Sequence, residues 1–139
     1  MIKNSVDNCK IIELNRHFSD RRGCLTEVEN GKTVPFDVKR VYYLYDVPGG
    51  ASRGGHAHKA QSQLIVAASG SFSVTLDDGE KKQTFFLNHP YRGLVVVPGM
   101  WRTLDDFSSG AVCMVLASDL YDENDYIREY EEFLKAKKS

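Results

Sequence analysis

The chain has 139 residues, with 42% hydrophobic and 27% charged residues and a formal net charge of -1. This balance gives no electrostatic case for binding nucleic acid or an anionic membrane, and no apolar run approaches the roughly 20 residues of a transmembrane helix. The length predicts one domain over residues 1–139. The N-terminus lacks the apolar segment of a signal peptide, and Cys9, Cys24 and Cys113 show no metal or redox spacing, so we expect free thiols in a cytoplasmic protein.

Short apolar segments separated by turns follow one another along most of the chain. They predict strands at 9–14, 24–28, 38–45, 58–67, 71–76, 82–87, 94–97, 101–107 and 111–117, with a polar turn at 17–23. Asp77-Asp78-Gly79 is typical of a hairpin turn. Many short strands at near-regular spacing indicate an all-β sandwich or barrel over about residues 9–118.

The C-terminal part of the chain has a different pattern. Apolar residues recur at helical spacing between Tyr126 and Leu134, and Asp122 is a candidate cap ahead of them. We therefore predict one amphipathic helix over about residues 122–137, packed on the barrel.

A pair of histidines in the middle of the chain is the main candidate for chemistry. His56 and His58 follow a glycine-rich turn, and in a strand two residues at this spacing point to the same face. Two neighbouring imidazoles can bind a metal or transfer protons, although an exposed polar strip shows the same pattern. The spacing resembles the first motif of the cupin barrels, Gly…His-x-His…Glu…Gly, except that Gln63 replaces the glutamate.

A second cupin motif normally supplies a third histidine ligand after a Pro-Gly turn. Here Arg102 follows Pro98-Gly99 in that place. Glutamine is a weak neutral ligand, and arginine stays protonated and repels a divalent cation. The sequence therefore predicts a cupin (a jelly-roll, or double-stranded β-helix, barrel) without a metal, whose histidines are free for acid–base work.

Several further segments resemble the sugar-nucleotide 3,4-ketoisomerases in sequence order. These segments are 36–43, 53–59, 76–79, 106–109, 115–119 and 121–128. The resemblance implies a homodimeric cupin that requires no metal or redox cofactor. It also implies action on dTDP-4-keto-6-deoxy-D-glucose, giving a 3-keto isomer that feeds 3-amino-3,6-dideoxy sugars of bacterial surface polysaccharides.

Such a reaction removes the C3 proton, passes through an enediol and protonates C4. A base that titrates near neutral pH suits this chemistry, so we assign His56 as the leading candidate for the carbon base and His58 as its partner. We expect Tyr43 to share their face and to donate to the developing oxyanion or relay a proton. The alternative for Tyr43 is a core aromatic with a satisfied hydroxyl.

Other residues are candidates for binding the nucleotide sugar. Arg53 is the best candidate for the diphosphate, because guanidinium groups match phosphate oxygens, and Arg40 and Arg102 are weaker ones. We expect Arg102 to point inward towards substrate or an internal acid such as Asp105. Two further candidates complete the set, each with an alternative: Gln63 bonds a site histidine or a sugar hydroxyl, and Trp101 stacks on thymine or fills the core.

Three other functions remain as alternatives at this point. One is a metal-free cupin acting as a 3,5-epimerase on the same dTDP-sugar, since both reactions begin beside the C4 ketone. The second is a sugar-binding cupin without catalytic activity. The third is a metal cupin with an unusual ligand set. The sequence leaves the C4 configuration of the product and the identity of the nucleotide open.

Overall fold

The computed structural model describes residues 3–139, so the first two residues of the predicted domain lie outside the described residues. The strands are β1 (Lys10–Glu13), β2 (His17–Ser19), β3 (Gly23–Leu25), β4 (Arg40–Leu44), β5 (Arg53–His58), β6 (Gln63–Ser69), β7 (Phe72–Asp77), β8 (Lys82–Leu87), β9 (Arg92–Val96), β10 (Trp101–Asp105), β11 (Val112–Ala117) and β12 (Tyr126–Ile127). Short 3-10 helices occupy Val6–Asn8 and Glu123–Asp125, and helix α1 spans Tyr130–Lys138.

Ten of these strands form two antiparallel sheets of five strands each. The first sheet has the order β1-β9-β6-β11-β4 and the second has the order β12-β5-β10-β7-β8. Strands β2 and β3 pair as a separate ribbon. The neighbours within each sheet are mostly distant in sequence, which is the arrangement expected of the jelly-roll barrel that the sequence predicts.

The core lies between the two sheets, because alternate residues of each strand point inward. Its buried side chains include Ile65, Phe72, Val74, Leu76, Leu94, Val96, Leu104 and Val115. A second apolar cluster covers the outer face of the first sheet, where Leu64, Val66 and Leu116 pack against Val34 and Phe36. The loop between β3 and β4 thus shields one side of the barrel.

The C-terminal helix covers the outer face of the second sheet. Phe133 is fully buried against Ala57 of β5 and Ile127 of β12. Two glutamates in the first turn and three lysines in the last turn suit the helix dipole. The fold class is therefore the predicted one, an all-β cupin barrel with a C-terminal α-helix.

The structure corrects three of the predicted elements. The helix begins at Tyr130 and not near residue 122, because residues 123–127 form a 3-10 turn and a short strand that extends the second sheet. Residues 17–19, predicted as a turn, form β2. The strand predicted at 58–67 is divided, because a turn at residues 59–62 carries the chain from the second sheet to the first.

Within residues 3–139, none of the helices combines the length and apolar character needed to cross a membrane.

Candidate active site

A cavity of about 340 Å³ opens between the two sheets, at the end of the barrel where β5 carries the two histidines. Its walls come from strands of both sheets and from the segment before α1. The lining residues are Arg40, Tyr42, Leu44, Arg53, Gly54, Gly55, His56, Gln63, Ile65, Arg102, Leu104, Val115, Tyr126 and Arg128. A partly apolar pocket with a few converging polar groups is the usual form of a small-molecule site.

The two histidines touch each other on the inner face of β5. His56 Nε2 lies 3.2 Å from His58 Nε2, and the two rings meet edge to face. His58 is completely buried, whereas His56 is partly exposed to the cavity. The pair is therefore a hydrogen-bonded unit with His56 on the solvent side.

Neighbouring strands place further side chains beside this pair. Arg102 of β10 is the cross-strand partner of His56, and Tyr126 of β12 is the partner of His58. Residues paired across an antiparallel sheet share a face, so both side chains point to the same side as the histidines. The Tyr126 ring contacts both imidazoles, with centroid distances of 5.0 and 4.4 Å.

Arg102 is a buried cation to which no carboxylate within residues 3–139 is bonded. Only 2% of its surface is exposed. One guanidinium nitrogen donates to Gln63 Oε1 and another lies 3.4 Å from the Met100 carbonyl, while Nε has no hydrogen-bond partner among the described residues. A buried charge without an ion partner is costly, so this guanidinium is suited to an anionic or carbonyl group of a ligand.

A chain of amide groups links Arg102 to the rest of the pocket wall. The Gln63 amide nitrogen lies 3.4 Å from His58 Nε2, 3.3 Å from the Tyr42 hydroxyl and 2.7 Å from Gln61 Oε1. Arg40 donates to the same Gln61 oxygen at 3.3 Å, and its Nε lacks a partner within the described part of the chain. The wall therefore presents more hydrogen-bond donors than acceptors.

Both histidines are held in the neutral form. Burial, followed by the charges of Arg102 and Arg128, lowers the pKa of His56 to about 3. Burial and Arg102 also lower the pKa of His58. The Asp125 carboxylate, 3.0 Å from His58 Nδ1, opposes that shift, but it is outweighed by complete burial beside a second histidine and an arginine. Neutral imidazoles are able to act as bases at neutral pH.

The donor set does not fit a metal ion. Gln63 and Arg102 occupy the positions of two cupin ligands, and the Arg102 charge faces the histidines. Among residues 3–139, no group of three or more His, Cys, Asp or Glu side chains could hold a metal. These side chains therefore support no step that depends on a metal.

The comparisons with known proteins agree on one family. The family model "FdtA: WxcM-like, C-terminal" matches residues 7–138. A TDP-4-oxo-6-deoxy-alpha-D-glucose-3,4-oxoisomerase from Aneurinibacillus thermoaerophilus is 51% identical over 116 residues, which cover 84% of each chain. This chain belongs to the sugar 3,4-ketoisomerase family.

Solved structures of other 3,4-ketoisomerases share the architecture over almost the whole chain. A 3,4-ketoisomerase from Helicobacter canadensis superimposes with a TM-score of 0.91 at 42% identity, covering 95% of this chain and 98% of that one. A histidine-to-asparagine variant of the 3,4-ketoisomerase QdtA from Thermoanaerobacterium thermosaccharolyticum, in complex with TDP-4-keto-6-deoxyglucose, has a TM-score of 0.91 at 37% identity, with 94% of each chain covered. The resemblance inferred from the sequence is thus confirmed.

Five of the predicted site residues lie together in the cavity wall of this 3,4-ketoisomerase family member. They are His56, Arg40, Arg53, Gln63 and Arg102. His58 lies directly behind His56 and contacts both it and Gln63, so a histidine is one of the neighbours of Gln63, as one of the two alternatives for this residue expects.

Tyr43 does not face the histidines, and its predicted placement is wrong. The alternation of β4 points Arg40 and Tyr42 into the cavity and leaves Tyr43 60% exposed on the outer face. The adjacent Tyr42 supplies the inward phenol, and burial raises its pKa. Tyrosine is common in strands at either position, so the sequence alone does not show which of the two faces the cavity.

Trp101 and Asp105 also lie outside the cavity, which corrects their predicted roles in binding. Both are an odd number of residues from Arg102 along β10, so they point to the opposite face. Trp101 packs against Tyr130 and Phe133 of α1, with ring centroids 5.3 and 5.8 Å away. It therefore fills the apolar layer under the helix, the alternative that the sequence left open.

Three functional candidates come from a segment that sequence reasoning assigned to a helix. Asp125 bonds His58, Tyr126 packs on both imidazoles, and Arg128 lines the cavity. Glu123 accepts two hydrogen bonds from Arg128, at 2.7 and 2.8 Å. The helix predicted over about residues 122–137 does not place these side chains together beside β5.

Proposed function

We propose that this protein converts dTDP-4-keto-6-deoxy-D-glucose to a dTDP-3-keto-6-deoxyhexose by proton transfer. The observation that carries the proposal is a hydrogen-bonded histidine pair at the cavity wall, with Nε2 atoms 3.2 Å apart, beside the buried Arg102 cation, whose Nε has no hydrogen-bond partner among the described residues. A base next to a fixed positive charge is the arrangement that enolisation beside a ketone requires. The names of the similar proteins support the choice of substrate.

In the reaction, His56 removes the proton from C3, and the electron pair of that C–H bond forms the enediolate with the C4 carbonyl. The negative charge develops on the C4 oxygen, where the donors of Arg102 and the Tyr42 hydroxyl stabilise it. The hydroxyl proton then passes from the C3 oxygen to the C4 oxygen. Protonation of C4 with reformation of a carbonyl at C3 completes the isomerisation without net oxidation.

The rim of the cavity supplies the groups that suit the nucleotide. Arg53 is exposed at the mouth, and Arg40 and Arg128 line the same opening. Their guanidinium groups match the oxygens of a diphosphate, which leaves the sugar ring inside, against His56. Because the chemistry is a proton transfer within one molecule, it requires no redox cofactor.

We infer a cytoplasmic homodimer that provides a 3-keto sugar for later amination at C3, in the synthesis of 3-amino-3,6-dideoxy sugars for surface polysaccharide. Val41 and Tyr43 on the edge strand β4, and Tyr45 directly after it, are each more than half exposed, and an apolar patch of this kind suits a contact between two copies. Light scattering on the purified protein tests the dimer, and a monomer mass would contradict it.

Proton NMR of the protein with dTDP-4-keto-6-deoxy-D-glucose in heavy water tests the activity. We expect a new 3-keto sugar with deuterium at C4, and the C4 coupling pattern gives its configuration. Exchange at C3 and C5 without ketone migration would identify an epimerase instead. An unchanged spectrum in the presence of demonstrated binding would identify a sugar-binding cupin and refute the proposal.

A further inference from the structure

Every oxygen of Asp125 lies within hydrogen-bond distance of His58 or of the two residues that follow it. Its Oδ2 lies 3.0 Å from His58 Nδ1, and its Oδ1 accepts a hydrogen bond of 2.8 Å from the Ala60 backbone. Its carbonyl accepts another, of 2.9 Å, from the Lys59 backbone. Only 10% of the Asp125 side chain is exposed. The carboxylate is thus fixed on both sides and cannot turn away from the imidazole.

The contact with Asp125 determines where the protons of both histidines lie. A carboxylate only accepts, so Nδ1 of His58 carries the hydrogen, and the lone pair of the neutral ring is at Nε2. That lone pair faces two nitrogens, Nε2 of His56 at 3.2 Å and Nε2 of Gln63 at 3.4 Å. Nε2 of His56 is therefore the donor, and the lone pair of His56 is at Nδ1.

We propose that Asp125 is a positioning residue that sets the direction of proton transfer along the histidine pair. This inference rests on the proposed function and adds to it the atom that acts as base, Nδ1 of His56. Gln63 supports the same direction from the other side, because its amide group donates towards the Nε2 lone pair of His58. Without Asp125, the His58 ring is free to carry its proton on Nε2, which reverses the bond between the two histidines.

The transfer is balanced at each atom. Nδ1 of His56 takes the proton from C3 and leaves the electron pair of the C–H bond in the enediolate. The resulting imidazolium passes its Nε2 proton to Nε2 of His58, so the positive charge moves next to the Asp125 carboxylate. Return of that proton to His56 makes the Nδ1 proton acidic again. Because His56 lines the open cavity, this proton exchanges with solvent before Nδ1 delivers it to C4, so C4 takes up deuterium in heavy water. The pair ends in its starting state.

The test is long-range proton–nitrogen NMR of the substrate-free protein with nitrogen-15-labelled histidine at pH 7.5. His56→Asn and His58→Asn spectra assign the two rings. We expect protonation of His58 at Nδ1 and of His56 at Nε2 in the unaltered protein. Protonation of His58 at Nε2 would overturn the inference. Because this result comes from the unaltered protein, it does not depend on whether a variant at position 125 folds.

The Asp125→Asn variant provides a second test, in which both the tautomer of His58 and the rate of isomerisation are measured. The Ala60 N–H holds the amide oxygen, so the amide NH2 group faces His58 Nδ1 and favours the other tautomer. We expect His58 to shift to Nε2 protonation and kcat to fall on the order of 100-fold or more, with KM changed less than about threefold. Asp122→Asn is the matched control, because Asp122 only caps the backbone of Asn124, and its asparagine retains that acceptor.

The outcomes separate this inference from the proposed function. A folded Asp125→Asn protein that keeps the tautomers and kcat of the unaltered protein would overturn the positioning role. Isomerase activity with the opposite tautomers would do the same while leaving the proposed function in place. The expected tautomers in a protein that does not isomerise the sugar would refute the proposed function alone.

Discussion

Lowering the pH should destabilise the folded protein partly through His56, and the substitution His56→Asn should remove that part of the loss. The pKa of His56 is lowered from 6.5 to about 3 by burial and by the Arg102 and Arg128 charges. Below pH 6.5 the unfolded chain binds a proton at this residue, whereas the folded protein does not until far lower pH. The folded state therefore loses stability as the pH falls through 6.5, and His56→Asn lacks this contribution.

The size of the effect follows from the two pKa values of His56. Between pH 7.5 and pH 5.5, proton uptake by one histidine in the unfolded chain alone costs the folded state about 1.4 kcal/mol. The result is the same for any folded-state pKa below about 4.5, so screening at the partly exposed ring does not change it. The bonds from Arg128 and Tyr121 lower the pKa of the nearby Glu123 carboxyl to about 2, far below this pH range, and in the variant burial and Arg102 still hold His58 neutral.

Urea unfolding of the unaltered protein and of His56→Asn at the two pH values measures the difference. We expect the unaltered protein to lose about 1.4 kcal/mol more than the variant, with equal m-values. Equal losses of stability in the two proteins would show that His56 becomes protonated in the folded state, and would refute the assignment of a neutral base.

Three further tests concern Tyr42, Arg53 and Gly70. Tyr42→Phe should lower kcat on the order of 100-fold, because it removes a hydrogen-bond donor from the cavity. Tyr43→Phe should change kcat by no more than about twofold. Equal kcat values in the two variants would contradict the orientation of β4, in which Tyr42 faces the cavity and Tyr43 faces outward. Arg53→Ala should raise KM about tenfold or more with little change in kcat, and a loss confined to kcat would remove Arg53 from the nucleotide site. Gly70→Ala should lower the free energy of unfolding by about 2–4 kcal/mol, since a Cβ there would lie 2.8 Å from the backbone at φ +68°. Gly110→Ala, at φ +75° with open space around the Cβ, should lower it by only about 1 kcal/mol. Thermal or urea unfolding measures both, and equal losses would contradict the close packing at Gly70.

The sequence predicts the barrel well because its signals are local. The strand 82–87 has the predicted bounds, and the histidine spacing places both rings on one face of β5. The replacement of cupin ligands by Gln63 and Arg102 is equally visible in the chain. These features depend on alternation and on residue chemistry within a few positions.

The parts that the sequence misses depend on pairing between distant segments. Asp125 reaches His58 across 67 positions in the chain, and nothing near either residue signals that contact. The short strand at Tyr126 exists because it pairs with β5, and its two residues are too few to show alternation. The position of Trp101, in contrast, is predictable from the sequence. It is adjacent to Arg102 in β10, so the alternation of a strand places the two side chains on opposite faces.

The central claim is that His56 moves a ketone from C4 to C3, and carbon-13 NMR observes this directly. Substrate labelled with carbon-13 at C3 and C4 is followed with the unaltered protein and with His56→Asn. We expect the carbonyl resonance to move from C4 to C3 with the unaltered protein and to remain at C4 with the variant. A carbonyl that stays at C4 with both proteins, or migrates equally fast with the variant, would contradict the account.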